Sequence, residues 1–305
     1  MKKILLALLA LALLAIGFVQ VFPMQALQAE YARQRLMAGA EVKTQSVDGL
    51  TWRYLEAGQG PLIVLVHGYT GSKENWLPAM KQLAEAHRVI AVDLPGWGEN
   101  TPQAGVDYSP LSQAVRLDAF LAAQKQPTAL LVGHSMGGMI SGLLLSGSHQ
   151  AKVERVVFMS SAGVRFNENE FARRVLTGDN PFAVYEADAF QEFLSKYVFL
   201  KAPYVPASIA KSLVARRESH KAFEKTVFTQ MRLGPQAFLL QTRLPQITQP
   251  AGLLWCEQDR IIDVSAAAVF AQGLKRSKTV VLKECGHMPM MEQPDAVAAS
   301  LLNHF

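Results

Sequence analysis

Ile4 to Phe22 is a long apolar run with no charge, and Lys2 and Lys3 precede it. As a helix at about 1.5 Å per residue it reaches about 28 Å, close to the hydrocarbon thickness of a bilayer. Residues 1–23 therefore read as a signal anchor or a signal peptide. The run exceeds the roughly 7–15 apolar residues of a cleavable signal, and a cut after Ala29 would leave Leu27 at the minus-three position, which favours an uncleaved anchor. The dibasic start places the N-terminus on the cytoplasmic side and the rest of the chain on the periplasmic or extracytoplasmic side. Arg33 and Arg35 oppose that orientation, and cleavage would release a secreted protein. Residues 24–41 follow as a linker, with Met24 to Met37 as a polar-faced helix.

Beyond the linker, strand and helix patterns alternate. Val42 to Val47 and Thr51 to Glu56 predict two antiparallel edge strands around the turn signal Asp48-Gly49. Leu62 to His67 is apolar throughout, as a strand buried on both faces requires. Helix Trp76 to Ala86, strand Val89 to Asp93, helix Pro110 to Gln124, strand Thr128 to His134, helix Met136 to Leu145 and strand Val153 to Ser160 follow. The rhythm then stops. It resumes with strand Ala251 to Cys256, helix Ser265 to Leu274, strand Lys278 to Leu282 and a last helix, Asp295 to Phe305, behind Pro294. This alternation predicts an α/β fold with a mostly parallel eight-stranded sheet and helices on both faces. Residues 42–162 and 245–305 form its core, and 163–244 an inserted helical cap.

Half of the 305 residues are hydrophobic and only 18% are charged, which suits a packed core. The net charge of +5 comes from scattered Lys and Arg, so the surface offers no nucleic-acid stripe, though an anionic lipid surface would attract it. Cys256 and Cys285 fit no zinc or redox spacing and read as small buried residues near strand ends. A disulfide would require those ends to lie within about 7 Å.

The chemistry centres on Gly133-His134-Ser135-Met136-Gly137, set between a strand and a helix. Gly-x-Ser-x-Gly there is the pattern of a nucleophile elbow, a turn so tight that only glycine fits on either side. Serine needs a base. Loops at the carboxyl ends of the two strands after the insertion supply Asp259 and then His287. In this reading Asp259 orients the imidazole, and His287 serves as base and then acid toward Ser135. Asp263 and Glu257 are rivals to Asp259, but Asp263 fits better as the cap of the helix near Ser265. His134 points away from the face of its neighbour, His67 is a structural hydrogen-bonder, and His87, His149, His220 and His304 fall on surface segments. The backbone N–H groups of Tyr69 and Met136 form a candidate oxyanion hole. Asp93 to Gly98 is a tight turn after a strand.

Five motifs in this order resemble the α/β-hydrolase superfamily: His67-Gly68, Asp93-Leu94-Pro95-Gly96-Trp97-Gly98, Gly133-His134-Ser135-Met136-Gly137-Gly138, Trp255-Cys256-Glu257-Gln258-Asp259 and Gly286-His287. The resemblance covers roughly Val42 to Phe305. The N-terminal anchor, Ser160-Ser161-Ala162-Gly163, and Cys285-Gly286-His287-Met288 followed by Met291-Glu292-Gln293-Pro294 look most like membrane-anchored monoacylglycerol lipases and related bacterial lipases and esterases. It implies Ser135, Asp259 and His287 as triad, Tyr69 and Met136 as oxyanion donors, and no metal or organic cofactor. Cys256 departs from the usual glycine.

The expected function is hydrolysis of carboxylic esters of medium or long acyl chains, monoacylglycerols included, through an acyl-enzyme. Phe166, Phe171, Phe182, Tyr185, Phe190, Phe193, Tyr197 and Phe199 either line an acyl site or form the cap's own core. Two alternatives compete. One is a carbon–carbon bond hydrolase of aromatic ring-cleavage products; the other, of a different class, is a non-catalytic binding protein on a hydrolase fold.

Overall fold

Parallel strands covered by helices on both faces carry no polar face, and the central strands here are apolar without alternation. In the computed structural model, which describes residues 1–233 and 237–305, β3 (Leu62–Val66) and β5 (Thr128–His134) are buried at every position. They lie at the centre of one eight-stranded sheet of order β1-β2-β4-β3-β5-β6-β7-β8. The other strands are β1 (Glu41–Val47), β2 (Leu50–Ala57), β4 (Arg88–Val92), β6 (Val156–Met159), β7 (Ala251–Cys256) and β8 (Ser277–Leu282). β2 runs antiparallel to β1 and β4, and the remaining pairs are parallel. The β1–β2 turn puts Asp48 and Gly49 at φ +50° and +75°, the left-handed pair that a two-residue hairpin demands. The sixth strand is shorter than the predicted Val153 to Ser160, with Val153 bridging Thr128 ahead of it.

The helices are α1 (Lys2–Val21), α2 (Pro23–Ala38), α3 (Leu77–Leu83), α4 (Pro110–Ala123), α5 (Met136–Leu145), α6 (Glu170–Leu176), α7 (Ala187–Phe193), α8 (Ala207–Ser219), α9 (Lys221–Leu233), α10 (Leu239–Arg243), α11 (Ser265–Gly273), α12 (Pro289–Glu292) and α13 (Pro294–Asn303). One face of the sheet packs Trp52, Phe120, Ile140, Phe158 and Phe270 beneath α4, α5 and α11. The other packs Trp76, Met80, Val297 and Leu301 from the α3 and α13 side. Neighbouring residues of β5 split between the two clusters, Leu131 in one and Leu130 and Val132 in the other, as period-two side chains must.

Helices α6 to α10 are inserted between β6 and β7; residues 234–236 of the expected cap lie outside the described residues. Phe171, Phe193, Tyr197 and Phe199 form a separate buried cluster with Ile261 from the loop after β7. Those rings are therefore a core of the insertion itself. Phe182 bridges that cluster to the site, with its ring 4.9 Å from Phe171, 4.9 Å from Tyr69 and 6.0 Å from Phe228. α1 buries none of its residues and is the one described helix long and apolar enough to cross a membrane. Its last turn meets the insertion, where Ser208 of α8 donates to the Val19 carbonyl at 3.1 Å. α2 sends Tyr31 into the second core cluster and pairs Arg35 with Glu74 at 3.6 Å.

Candidate active site

Ser135 joins β5 to α5 at φ +53°, a backbone state that L-residues avoid unless the surroundings impose it. Its N–H donates to Met159 O at 3.0 Å, while its carbonyl accepts from Gly138 and Ala162 at 3.0 and 3.1 Å. A Cβ on Gly133 would stand 2.5 Å from Gly137 O, and one on Gly137 would stand 2.5 Å from His67 O. These are backbone atoms that cannot step aside, which is the physical content of the Gly-x-Ser-x-Gly spacing. Met136 is the first residue of α5, so its N–H has no acceptor within the helix and points out at the positive helix end.

The loop after β3 brings Tyr69 to the same end of the sheet. Tyr69 is buried; its phenol donates to the Glu224 carbonyl of α9 at 2.7 Å, and its ring packs against Trp97 and Phe182. Thr70 follows at φ +57°, a strained state for a β-branched residue. The loop is fastened at both sides. His67 Nε2 accepts the Leu94 N–H at 3.1 Å, so its Nδ1–H donates to Gly68 O at 2.7 Å. Burial pulls the His67 imidazole from 6.5 down to about 4, which keeps it neutral and structural. Lys73, fully buried, meets Asp93 at 2.9 Å, Glu99 at 2.8 Å and Glu74 at 2.9 Å. Burial opposes its charge, yet the surrounding carboxylates, Asp93 first, hold its pKa above the ordinary lysine value. The Asp93 to Gly98 turn exists to make this knot: Asp93 also accepts the Lys73 and Glu99 N–H groups, and a side chain on Gly98 (φ +60°) would overlap its carboxylate.

Asp259 and His287 meet across 28 residues. His287 Nδ1 lies 3.0 and 2.9 Å from the two Asp259 oxygens, and Oδ1 also accepts the Ile261 and Ile262 N–H groups at 2.9 and 3.0 Å. A carboxylate only accepts, so Nδ1 is the protonated nitrogen facing Asp259, and in the neutral ring the lone pair is left on Nε2. Both side chains are buried. Of the rivals, Glu257 is exposed, and Asp263 accepts the Ser265 N–H at the start of α11 at 2.9 Å, the capping use expected of it.

Several contacts were invisible in the sequence. Cys256 and Cys285 are not merely small buried residues: they form a disulfide with Cα atoms 5.4 Å apart. The strand-end geometry decides this, and the bond ties the loop of Asp259 to the loop of His287. His134, whose side chain was expected to face away, donates from Nε2 to the His287 carbonyl at 2.8 Å, and their rings lie 4.8 Å apart. Burial, then the neighbouring His287, holds His134 well below the ordinary histidine value. Ser135 enters this ensemble through that neighbour and through Gly68, where an added Cβ would stand 2.9 Å from Ser135 Cβ and 3.0 Å from His134 Nδ1. Of the remaining histidines, His304 is exposed, and His87, His149 and His220 are half-buried on peripheral segments. Among the described residues no cluster of three or more His, Cys, Asp or Glu has the arrangement of a metal site.

A strained serine at the strand-to-helix turn and a carboxylate–imidazole pair from the last two strands occupy one end of a mostly parallel sheet. The model of the alpha/beta hydrolase family matches residues 63–300. The chain belongs to the alpha/beta hydrolase family. Within it, the chain is 28% identical to monoacylglycerol lipase ABHD6 of Mus musculus over 259 residues, covering 81% of this chain and 76% of that one. Lipase 1 of Psychrobacter immobilis is 25% identical over 273 residues, with 87% and 84% of the two chains covered. Among solved structures, a bacterial membrane phospholipase A superposes with a TM-score of 0.84 at 34% identity, over 98% of this chain and 96% of its own. These alpha/beta hydrolases support lipase or esterase activity.

Proposed function

We propose that the protein is a membrane-anchored serine hydrolase that cleaves carboxylic esters of medium or long acyl chains, acylglycerol lipids among them, through an acyl-enzyme. The observation that carries the reading is the Asp259–His287 pair, at 2.9 Å, on loops beside a serine held at φ +53°. In the proposed reaction His287 Nε2 takes the Ser135 proton as Oγ attacks the ester carbonyl carbon. The Tyr69 and Met136 N–H groups receive the oxyanion. Collapse breaks the bond to the alcohol, which leaves with the proton from His287, and water then repeats the sequence on the acyl-enzyme.

The substrate class rests on the placement of α1. Its last turn is bonded to α8 of the insertion, so the helices beside the site sit against the end of the apolar segment, where lipid esters are concentrated. Helices α6 to α10 take the part of the cap. The buried Cys256–Cys285 disulfide supports the extracytoplasmic orientation, because disulfides persist in oxidising compartments. The test is fluorophosphonate labelling of the full-length protein, followed by turnover on esters of rising acyl length beside Ser135→Ala. Labelling and turnover lost in the variant, with preference for medium or long chains, support the reading. Undiminished turnover in Ser135→Ala refutes the mechanism, and activity confined to acetyl esters refutes the substrate class. Turnover of a ring-cleavage dienoate with none on esters would favour the carbon–carbon hydrolase.

A further inference from the structure

The loop of His287 is gripped by the inserted helices. Its backbone N–H donates to Val198 O at 2.8 Å, and a side chain on Gly286 would collide with Val198 O and Leu200 N, each 2.9 Å from the added Cβ. The loop of Asp259 holds the same segment, for Arg260 donates to the Ser195 and Lys196 carbonyls at 3.1 and 3.2 Å. Residues 194–198 there form a π-helical turn, an irregularity common beside functional sites. One side chain closes the assembly. Glu292, at the end of α12, accepts the Gly286 N–H at 2.8 Å and the Met288 N–H at 3.4 Å on Oε1, and the Leu200 N–H at 2.7 Å on Oε2. It thus brackets His287 on both sides and bonds that loop to the insertion across 92 residues.

We propose that Glu292 is a positioning residue for the reaction proposed above: it fixes the height and aim of the His287 ring and makes that aim depend on where the segment Val198–Leu200 sits. Only a carboxylate can serve, since three N–H donors converge on two oxygens and charged acceptors make the stronger bonds. A glutamine keeps one acceptor oxygen and turns an NH2 group toward the other donors. One side of the bracket then opens, and the ring drifts relative to Asp259 while the substrate-facing helices stay in place.

The proposal rests on His287 acting as base, so the test carries a readout that needs no turnover. Full-length protein in detergent is compared with Glu292→Gln, Glu292→Ala and, as control, Glu284→Gln, an exposed acid nearby. The deciding signal is the low-field proton resonance of the His287 Nδ1–H bonded to Asp259, assigned by its absence in Asp259→Asn. We expect it to shift or broaden in both Glu292 variants and stay fixed in the control. On a chromogenic ester, kcat should fall about tenfold in Glu292→Gln and about a hundredfold in Glu292→Ala, the scale of an ångström-level misalignment, with KM within twofold. If Glu292→Ala does not fold, Glu292→Gln carries the test. An unmoved resonance overturns the proposal whatever the kinetics, as does a loss confined to thermal stability with kcat intact. A wild-type chain that shows the resonance and its Glu292 dependence but hydrolyses no ester keeps the positioning role and refutes the function.

Discussion

Breaking the Cys256–Cys285 bond should lower stability and turnover by separable amounts. The cysteines are 29 residues apart, and closing a loop of that length removes about 12 cal/mol/K from the unfolded ensemble, or about 3.6 kcal/mol at 25 °C. A chain of this size loses about 2 °C of Tm per kcal/mol, so Cys256→Ala/Cys285→Ala should melt about 7 °C lower. Both sulfurs are buried, so reductant should act on the native protein only where denaturant opens it. Urea unfolding followed by tryptophan fluorescence suits the measurement, because Trp255 adjoins Cys256 and is fully buried. The midpoint of the wild type should fall when reductant is added, to that of the double variant, whose own midpoint should ignore reductant. Because the bond joins the Asp259 and His287 loops, kcat of the folded variant should also drop, between tenfold and a hundredfold at about 1 Å of added play. Two reactive thiols in unfolded protein kept free of reductant would refute the argument at its root. A midpoint unchanged by reductant would refute the entropic magnitude.

Asp259→Asn should cut kcat about 10⁴-fold with the fold intact. Oδ1 stays with the Ile261 and Ile262 N–H groups, so the new NH2 faces Nδ1 and drives the proton onto Nε2, where the lone pair is needed; circular dichroism beside turnover checks this, and activity within tenfold of wild type would contradict it. Gly137→Ala should yield no soluble folded protein in an expression and solubility assay, since its Cβ would stand 2.5 and 2.6 Å from the His67 and Val66 carbonyl oxygens. For His67 the folded value, about 4, lies below the ordinary 6.5, so the unfolded chain binds the extra proton between them. Its contribution is present above pH 6.5 and is lost as pH falls toward 4, by about 3 kcal/mol. His67→Gln keeps a donor for Gly68 O and an acceptor for the Leu94 N–H, so urea melts of the variant should lack that share of the acid loss; parallel curves would refute it.

Periodicity and spacing made most of the frame legible. A strand such as Leu62–Val66 reads as apolar without alternation, and Asp48-Gly49 marks the tight hairpin between β1 and β2. The aspartate and histidine that meet here stood out because each follows one of the last two strands by a short loop. Alternation along the strand sets the face of the His134 side chain but does not say that the His287 loop folds onto it. Spacing along the chain says nothing of the 5.4 Å between two strand ends, so the cystine emerges only from the fold. The insertion read as helical and aromatic, yet nothing in its pattern told which rings form its own cluster and which reach Tyr69.

By itself the sequence determined which segments are buried strands, where the backbone must turn so sharply that only glycine fits, and which side chains could do acid–base chemistry. These are local properties, fixed by side-chain size, polarity and backbone sterics within a few residues. Tertiary structure alone decided that Glu292 meets Leu200, that Arg260 holds the Ser195 and Lys196 carbonyls and that Cys256 finds Cys285. Such pairings depend on the order and register of strands far apart in the chain, and many arrangements of the same local pieces would satisfy the sequence until a common core selects one.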